Sequence, residues 1–327
     1  MRKKLKSMIK AFIFFNVFTV YIHQLFSNNN PQDSIKHWKS SGFIGINFSQ
    51  TALSNWQGGG QDNVSLNNIL DYQITYQKDK HTWSNKISSN YGIIRSGSDK
   101  IFKKNNDQLL FISKYNLDAW NKYFYYSAML DFRTQLAPGY NYKGDSIVGR
   151  AISDFFSPAY IQLALGLEYK PVNYFSITLS PLSGKVTIVS RQYLADAGAF
   201  GVEKAIYDPI TGNIIQHGKK IRYEFGGRLT LKFNKDLNSL ISWDAYLDLF
   251  SNYLHNPQNI DVVMNSLLTI KLSKIFTITL LNQMIYDDDI KIIRDWNKDG
   301  KYDNSNDIYG PRIQILSTFG IGLGLKF

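Results

Sequence analysis

Apolar and polar positions alternate along much of the chain, and the alternation is strictest at the C-terminus. In Thr318–Phe327, apolar side chains occupy every second position, and glycine or polar residues occupy the positions between. A period of two is typical of a β-strand with one apolar face. Three glycines on one face would weaken a strand in a soluble sheet. In a membrane barrel, the apolar face meets lipid and the glycine face allows the lumen or a neighbouring chain to approach closely.

The same alternation recurs upstream in about twelve segments, each close to the ten residues that a tilted membrane strand needs. The segments begin near Gly42, Val64, Thr82, Leu109, Phe124, Ile161, Phe175, Arg222, Ile241, Val262, Phe276 and Thr318. Helical periodicity of comparable length appears nowhere. The pattern therefore predicts an all-β protein.

The connections between these segments alternate between short and long. The short ones are Lys78–Lys80, Asn121–Lys122, Pro171–Asn173, Asn234–Asn238 and Ser273–Lys274; the long ones are Gln50–Asn63, Arg95–Asn106, Leu136–Ser157, Pro181–Lys220, Leu254–Asn259 and Asp287–Pro311. This predicts a single transmembrane up-and-down antiparallel β-barrel with short periplasmic turns and long extracellular loops. Prolines after residue 100, Pro181 among them, are expected in or beside connections. Because an open edge is costly in hydrocarbon, Thr318–Phe327 should pair with the strand near Gly42–Gln50.

The N-terminus has the composition of an export signal. Five positive charges in residues 2–10 precede the apolar run Ala11–Ile22, which is too short to span a bilayer as a helix. We predict a signal peptide over residues 1–27, a periplasmic leader over 28–41 and an outer-membrane barrel over 42–327. Without the signal, the formal charge of +11 falls to +6 and is scattered, which argues against nucleic acid as a partner. The absence of cysteine excludes disulfides, thiolate metal sites and a cysteine nucleophile.

Several short stretches resemble one protein family. They are Leu53–Gly60, Ala137–Tyr142, Ser180–Gly184, Leu194–Phe200, Asp248–Pro257 and Ile285–Ile290. These stretches are similar to a porin-like outer-membrane β-barrel family of bacteria known only as a domain of unknown function, from about Trp38 to Phe327. The terminal aromatic residue is similar to the signal that the barrel-assembly machinery reads. The resemblance implies a bacterial outer-membrane location and this fold, and it assigns no catalytic residues.

The predicted strand register directs charges of both signs into the lumen. These lumen charges are Asp71, Lys86, Lys114, Asp118, Asp131, Arg133, Arg222, Glu224, Arg228, Asp244 and Asp248. One interpretation is a water-filled channel tuned by these charges; the other is a lumen closed by salt bridges. Twelve strands lie between barrels that side chains fill and barrels with open pores, and the loop Pro181–Lys220 can fold inward to constrict the lumen. The run Asp287–Asp289 is expected to form a solvated rim, and the alternative is a carboxylate cluster that attracts cations to the pore mouth.

One loop has the spacing of a calcium site. Oxygen ligands at positions 1, 3, 5, 7 and 9 of such a loop would come from Asp295, Asn297, Asp299, Lys301 and Asp303, with the Lys301 ligand being its carbonyl. Gly300 supplies the sharp turn, but Asn306 replaces the usual glutamate and the flanks are predicted strands. The favoured interpretation is a solvated turn, and the alternative is weak Ca²⁺ binding that stiffens the loop.

Histidines are scarce, and no serine, histidine and carboxylate are spaced as a catalytic set, so we do not expect an enzyme. The preferred function is passive passage of small hydrophilic solutes through a polar lumen. The first alternative is a structural or surface-interaction barrel with a plugged lumen. A barrel hydrolase or acyltransferase is the remaining alternative. The expected partners are outer-membrane lipid, the barrel-assembly machinery and small solutes.

Overall fold

The computed structural model describes residues 37–51, 63–97, 99–294 and 308–326. The strands are β1 Trp38–Thr51, β2 Asn63–Lys78, β3 His81–Ser96, β4 Lys103–Asp118, β5 Phe124–Thr134, β6 Gly139–Lys143, β7 Ser146–Ser153, β8 Ala159–Val172, β9 Phe175–Ile188, β10 Ile206–Tyr207, β11 Ile214–Gln216, β12 Ile221–Asp236, β13 Ile241–Asn252, β14 Ile260–Lys271, β15 Phe276–Tyr286, β16 Lys291–Arg294, β17 Ile308–Pro311 and β18 Gln314–Lys326. One short helix, α1 (Gln192–Asp196), and a 3₁₀ turn, Ala199–Gly201, lie between β9 and β10.

Twelve strands form one closed antiparallel barrel in the order β1-β2-β3-β4-β5-β8-β9-β12-β13-β14-β15-β18, after which β18 returns to β1. The closing pairs run from Phe43 opposite Lys326 to Phe48 opposite Ile321. The predicted fold, strand number and closing partner are therefore confirmed. The first strand begins at Trp38, four residues before the predicted start of the barrel. Residues 1–36, with the predicted signal peptide and most of the leader, lie outside the described residues.

The lengths of the connections also alternate as predicted. Short turns join β2 to β3, β4 to β5, β8 to β9, β12 to β13 and β14 to β15. The opposite end carries the long connections, and three of them contain hairpins of their own: β6–β7, β10–β11 and β16–β17. We call these the turn end and the loop end of the barrel. Among the described residues, no helix is long and apolar enough to cross a membrane.

The expectation that Pro181 lies in a connection is wrong. It lies inside β9, which continues to Ile188. Proline lacks an N–H for the ladder, and strands accommodate it at bulges. The ladder is indeed irregular here, because pairing with β8 passes from Leu165 opposite Leu182 to Leu167 opposite Leu179. The extra residue reverses the inward parity, so that Ser183 and Lys185 face the lumen after the bulge.

The outer surface of the barrel exposes many large apolar side chains. Leu163 is 61% exposed, Leu179 is 58% exposed and Phe319 is 63% exposed, and each lies on a strand whose inward neighbours are small or polar. Soluble monomers rarely expose a continuous apolar surface of this extent. A closed antiparallel barrel with an apolar outside and a polar inside is the outer-membrane β-barrel fold.

Aromatic side chains surround the turn end. Their ring centroids lie 5.0 Å apart for Trp38 and Tyr76, 4.9 Å apart for Phe124 and Tyr169, and 5.1 Å apart for Phe233 and Trp243. Membrane barrels place such aromatic girdles at the boundary between hydrocarbon and headgroups. The girdle therefore marks one membrane interface.

The glycines of β18 allow the barrel to close tightly. A Cβ on Gly322 would lie 2.1 Å from the Ile46 carbonyl oxygen and 2.7 Å from Asn47 Oδ1, and a Cβ on Gly324 would lie 2.8 Å from the Phe43 ring. Asn47 crosses β18 on the lumen side, and its Nδ2 donates a hydrogen bond to Thr279 Oγ1 at 2.7 Å. The glycine face is thus the space into which the Asn47 and Phe43 side chains of the first strand fit.

Candidate functional site

Among the cavities that the described residues line, two lie in line inside the barrel. The inner cavity, of about 330 Å³, adjoins the turn end, and the outer cavity, of about 230 Å³, adjoins the loop end. Gln108 and Gln283 line both cavities. Gln283 Nε2 donates a 2.8 Å hydrogen bond to Gln108 Oε1 across the lumen, from β15 to β4. This contact, which we call the glutamine bridge, separates the two cavities.

A buried arginine in the middle of the lumen forms ion pairs with two carboxylates. Arg228 is 3% exposed and forms ion pairs with Asp131 on β5 and Asp248 on β13. Its pairing with Asp248 is bidentate, with Nε donating at 2.7 Å and a terminal nitrogen at 2.9 Å. The Tyr246 hydroxyl accepts a further bond at 2.8 Å. A planar guanidinium is suited to this geometry, and the network joins strands from two sides of the lumen.

Two lysines form ion pairs in the inner half. The Lys86 ammonium lies 3.3 Å from Asp71 and 3.6 Å from Asp244, and β3 and β13, which carry Lys86 and Asp244, are on opposite sides of the barrel. The Lys114 ammonium lies 2.7 Å from Glu168 on β8. The inner half is therefore also crossed by charged side chains.

Lys185 forms ion pairs with three carboxylates in the outer half of the lumen. Its ammonium lies 2.7 Å from Asp261, 3.6 Å from Glu224 and 3.6 Å from Asp287. Asp287 is only 6% exposed, so its predicted place in a solvated rim is wrong. The reason is that the bulge in β9 turns Lys185 inward, where it attracts the carboxylate.

The loop between β9 and β12 folds into the mouth of the outer cavity. Arg222 donates to the Gly201 carbonyl at 3.0 Å and pairs with Glu224 at 2.7 Å and Asp289 at 3.0 Å. The neighbouring Phe200 lines the outer cavity. Phe200 has a positive φ of 59° within the 3₁₀ turn. The loop thus narrows the mouth, as one interpretation of the sequence expected.

This loop has a small core and polar anchors of its own. Four buried apolar residues pack together in it: Val189, Leu194, Ala195 and Val202. Asp196 accepts from Gln192 Nε2 at 2.9 Å and from the Gly218 N–H at 2.8 Å. These hydrogen bonds, that from Gln192 first, hold the pKa of Asp196 below its ordinary value. The loop is therefore an ordered cap.

The eleven predicted lumen charges can now be placed. Asp71, Lys86, Lys114 and Asp244 line the inner cavity, and Arg133 and Asp248 line the outer one. Asp131, Arg222, Glu224 and Arg228 belong to the ion-pair networks between and above the cavities. Asp118 is exposed at the turn end of β4 and lines neither cavity.

Several important lumen residues were missing from that prediction. Glu168 and Lys232 have the inward parity of their strands, so alternation alone was sufficient to find them. Lys185 lay in the predicted connection Pro181–Lys220, because the bulge at Pro181 interrupts the alternation. Asp261 lies one residue before the predicted start of its strand. The glutamine bridge gave no sequence signal, because uncharged inward residues are common in barrels.

The described residues contain neither the predicted calcium loop nor a grouping typical of a metal or catalytic site. Asp295, Asn297, Asp299, Lys301 and Asp303 lie outside the described residues, so calcium binding there stays a prediction. Within the described ranges, no three His, Cys, Asp or Glu side chains are grouped to hold a metal ion. His217 Nδ1 lies 3.1 Å from Asp196, and no serine is hydrogen-bonded to either side chain in the described part of the chain.

Comparison with known proteins agrees with the resemblance seen in the sequence. Residues 48–140 match a family described as "Protein of unknown function (DUF3078)". The matched segment includes β2, β3, β4 and β5, and the family description assigns no activity. No curated protein sequence matches the chain.

Among solved structures, the chain is similar to two barrels at low identity. The translocator domain of the autotransporter NalP from Neisseria meningitidis is 8% identical, with 98% of each chain covered and a TM-score of 0.33. The COG4313 outer membrane channel from Pseudomonas putida F1 is 12% identical, with 91% of this chain and 100% of that one covered and a TM-score of 0.36. Structural similarity at these TM-scores is too low to indicate a function. The fold assignment therefore rests on the strand pairing described above.

Proposed function

We propose that this protein is a narrow outer-membrane channel for small hydrophilic solutes, closed at mid-height by the glutamine bridge in the state described here. The two cavities in line, separated by that bridge, are the observation that supports this proposal. A hydrogen bond between two neutral side chains contributes only about 0.5–1.5 kcal/mol, so thermal motion can break it. The Arg228 network, which also lies between the cavities, and the ion pairs in the two halves of the lumen hold the wall in place around it.

The proposed channel lies in the bacterial outer membrane, with the turn end in the periplasm. The exposed apolar outer face and the aromatic girdle support the membrane location, and the short turns support the periplasmic position of the turn end. Export would use the basic and apolar N-terminal segment, and insertion would use the barrel-assembly machinery. Lipid is then the partner of the outer face.

Breaking the glutamine bridge should raise the conductance. In planar lipid bilayers, the double variant Gln108→Ala and Gln283→Ala is expected to open more often and with larger current steps than the wild type, because the contact between the cavities is removed. Gln216→Ala, an exposed change in the β10–β11 hairpin, is the matched control and should behave as the wild type. Silence of the wild type and the double variant alike would rule out conduction.

A plugged barrel is the second candidate function. It is favoured by the ion pairs that cross the lumen and by the loop cap at Phe200. In that case the exposed hairpins of the loop end would carry the interactions; Ile210 in the β10–β11 hairpin, for instance, is 93% exposed. The same bilayer measurement separates the two candidates, because a plugged barrel stays silent when the bridge is removed.

A further inference from the structure

Lys232 is a lumenal lysine without a carboxylate partner. Its ammonium has three N–H donors, yet within the described residues it forms no ion pair, and its one hydrogen bond goes to Gln73 Oε1 at 3.4 Å. It is half-buried and lines the inner cavity, whereas Lys86 and Lys114 in the same cavity are paired. A cation withdrawn from bulk water without a counter-charge favours an anionic partner.

The charges of the two cavities differ in sign. Among the described residues, the inner cavity is lined by four lysines and three carboxylates, a net charge of +1 if all are ionised. The fourth lysine, Lys170, forms no ion pair within the described residues either. By the same count, the outer cavity has two basic and four acidic side chains, a net charge of −2. An anion in the lumen is therefore attracted to the inner cavity.

The inner cavity also has apolar walls. Leu110, Ile112 and Met129 line it from β4 and β5, and Leu267 and Leu281 line it from β14 and β15. These two pairs of strands lie on opposite sides of the barrel. Lumens of membrane barrels are usually polar because they contact water. Two apolar patches that face each other across the lumen instead suit contact with an apolar part of a ligand.

The apolar patches and the lysines occupy different heights. Leu110 is two residues from Gln108 and Leu281 is two residues from Gln283, so the patches adjoin the glutamine bridge. Lys170 and Lys232 lie closer to the turn end. From the bridge towards the turn end, the cavity thus changes from apolar to cationic, which complements a molecule with an apolar body and an anionic head.

We propose that the inner cavity binds a small organic carboxylate. Its carboxylate group pairs with Lys232 and Lys170, and its apolar body lies between the two patches beneath the glutamine bridge. The volume of about 330 Å³ is at the lower end of the range for ligand pockets, so the ligand is small. This inference rests on the proposed channel, for which it names the class of solute.

Binding of para-fluorobenzoate to the folded barrel in detergent micelles tests the inference, with fluorine NMR as the measurement. We expect saturable binding in the millimolar range or tighter. Lys232→Gln should weaken it roughly tenfold or more, because a hydrogen bond to a charged group is lost. Leu267→Gln should also weaken it. Lys274→Gln, at an exposed turn between β14 and β15, is the matched control and should bind as the wild type does.

Acetate has the carboxylate without the aromatic ring, and para-fluorobenzyl alcohol has the ring without the carboxylate. Both should therefore compete with para-fluorobenzoate much more weakly than benzoate does. Equal binding by Lys232→Gln, equal competition by either analogue, or no saturable binding would each overturn the inference. The measurement needs no membrane and no current. If the barrel conducts but does not bind the ligand, this inference is wrong and the proposed channel stands. If the barrel binds the ligand but does not conduct, only the proposed channel is wrong.

Discussion

Replacing Arg228 with methionine is expected to lower the free energy of unfolding by about 3–5 kcal/mol, because breaking a buried ion pair leaves uncompensated charge. Asp131 and Asp248 would both lose their cationic partner. The site is buried, since the Arg228 side chain is only 3% exposed. Urea titration of the barrel refolded into lipid vesicles, followed by tryptophan fluorescence, measures the change.

Two further variants show whether charge is the cause. Adding Asp131→Asn and Asp248→Asn to Arg228→Met removes the orphaned charges and should recover about 2 kcal/mol or more of the loss. Arg150→Met, on the exposed strand β7, should change stability by no more than about 1 kcal/mol. A loss for Arg228→Met no larger than that of Arg150→Met would mean that the central network does not hold the barrel.

Gly322→Ala is expected to cost about 1–3 kcal/mol, as overpacking in a filled interior does. The added methyl group would lie 2.1 Å from the Ile46 carbonyl oxygen, so β1 and β18 must separate at the closing pair. Urea titration in vesicles gives the free energy, and the yield of folded barrel on an unboiled gel shows whether closure itself fails.

Gly184→Ala is the matched control for this substitution. Gly184 is also in a barrel strand, β9, but the nearest atom to an added methyl group there is 4.0 Å away, at the Glu224 carbonyl oxygen. It should be neutral or slightly stabilising, because alanine reduces the freedom of the unfolded chain. Equal losses at both positions would show that the seam between β1 and β18 is not specially packed.

The barrel could be predicted from the sequence because lipid imposes one simple rule. Every second residue must be apolar wherever a strand faces hydrocarbon, and open edges are not tolerated. Alternation therefore revealed the strands, and loop lengths distinguished the turn end from the loop end. Glycines at alternate positions in Thr318–Phe327 also indicated a close approach, although not that Asn47 would fill the space.

The interior was harder to predict because it depends on contacts between distant strands. Inward parity identifies lumenal charges, but not that Arg228 reaches Asp131 or that Gln283 reaches Gln108 across the lumen. The alternation breaks at the bulge beside Pro181, so Lys185 fell in the predicted connection Pro181–Lys220 instead of in a strand. The candidate site of the inner cavity likewise emerges only when opposite walls are seen together.

The central claim is that alternate residues of each barrel strand face lipid and lumen. The chain has no cysteine, so single cysteines can carry spin labels without interference. In lipid vesicles, labels at Leu163 and Leu165 of β8 should be accessible to oxygen dissolved in the bilayer and shielded from a water-soluble nickel complex. Labels at Gln162 and Ala164 should be shielded from that oxygen, because both positions face the lumen and are buried. Equal accessibility of all four labels, or nickel contact at the leucine positions, would contradict the membrane barrel.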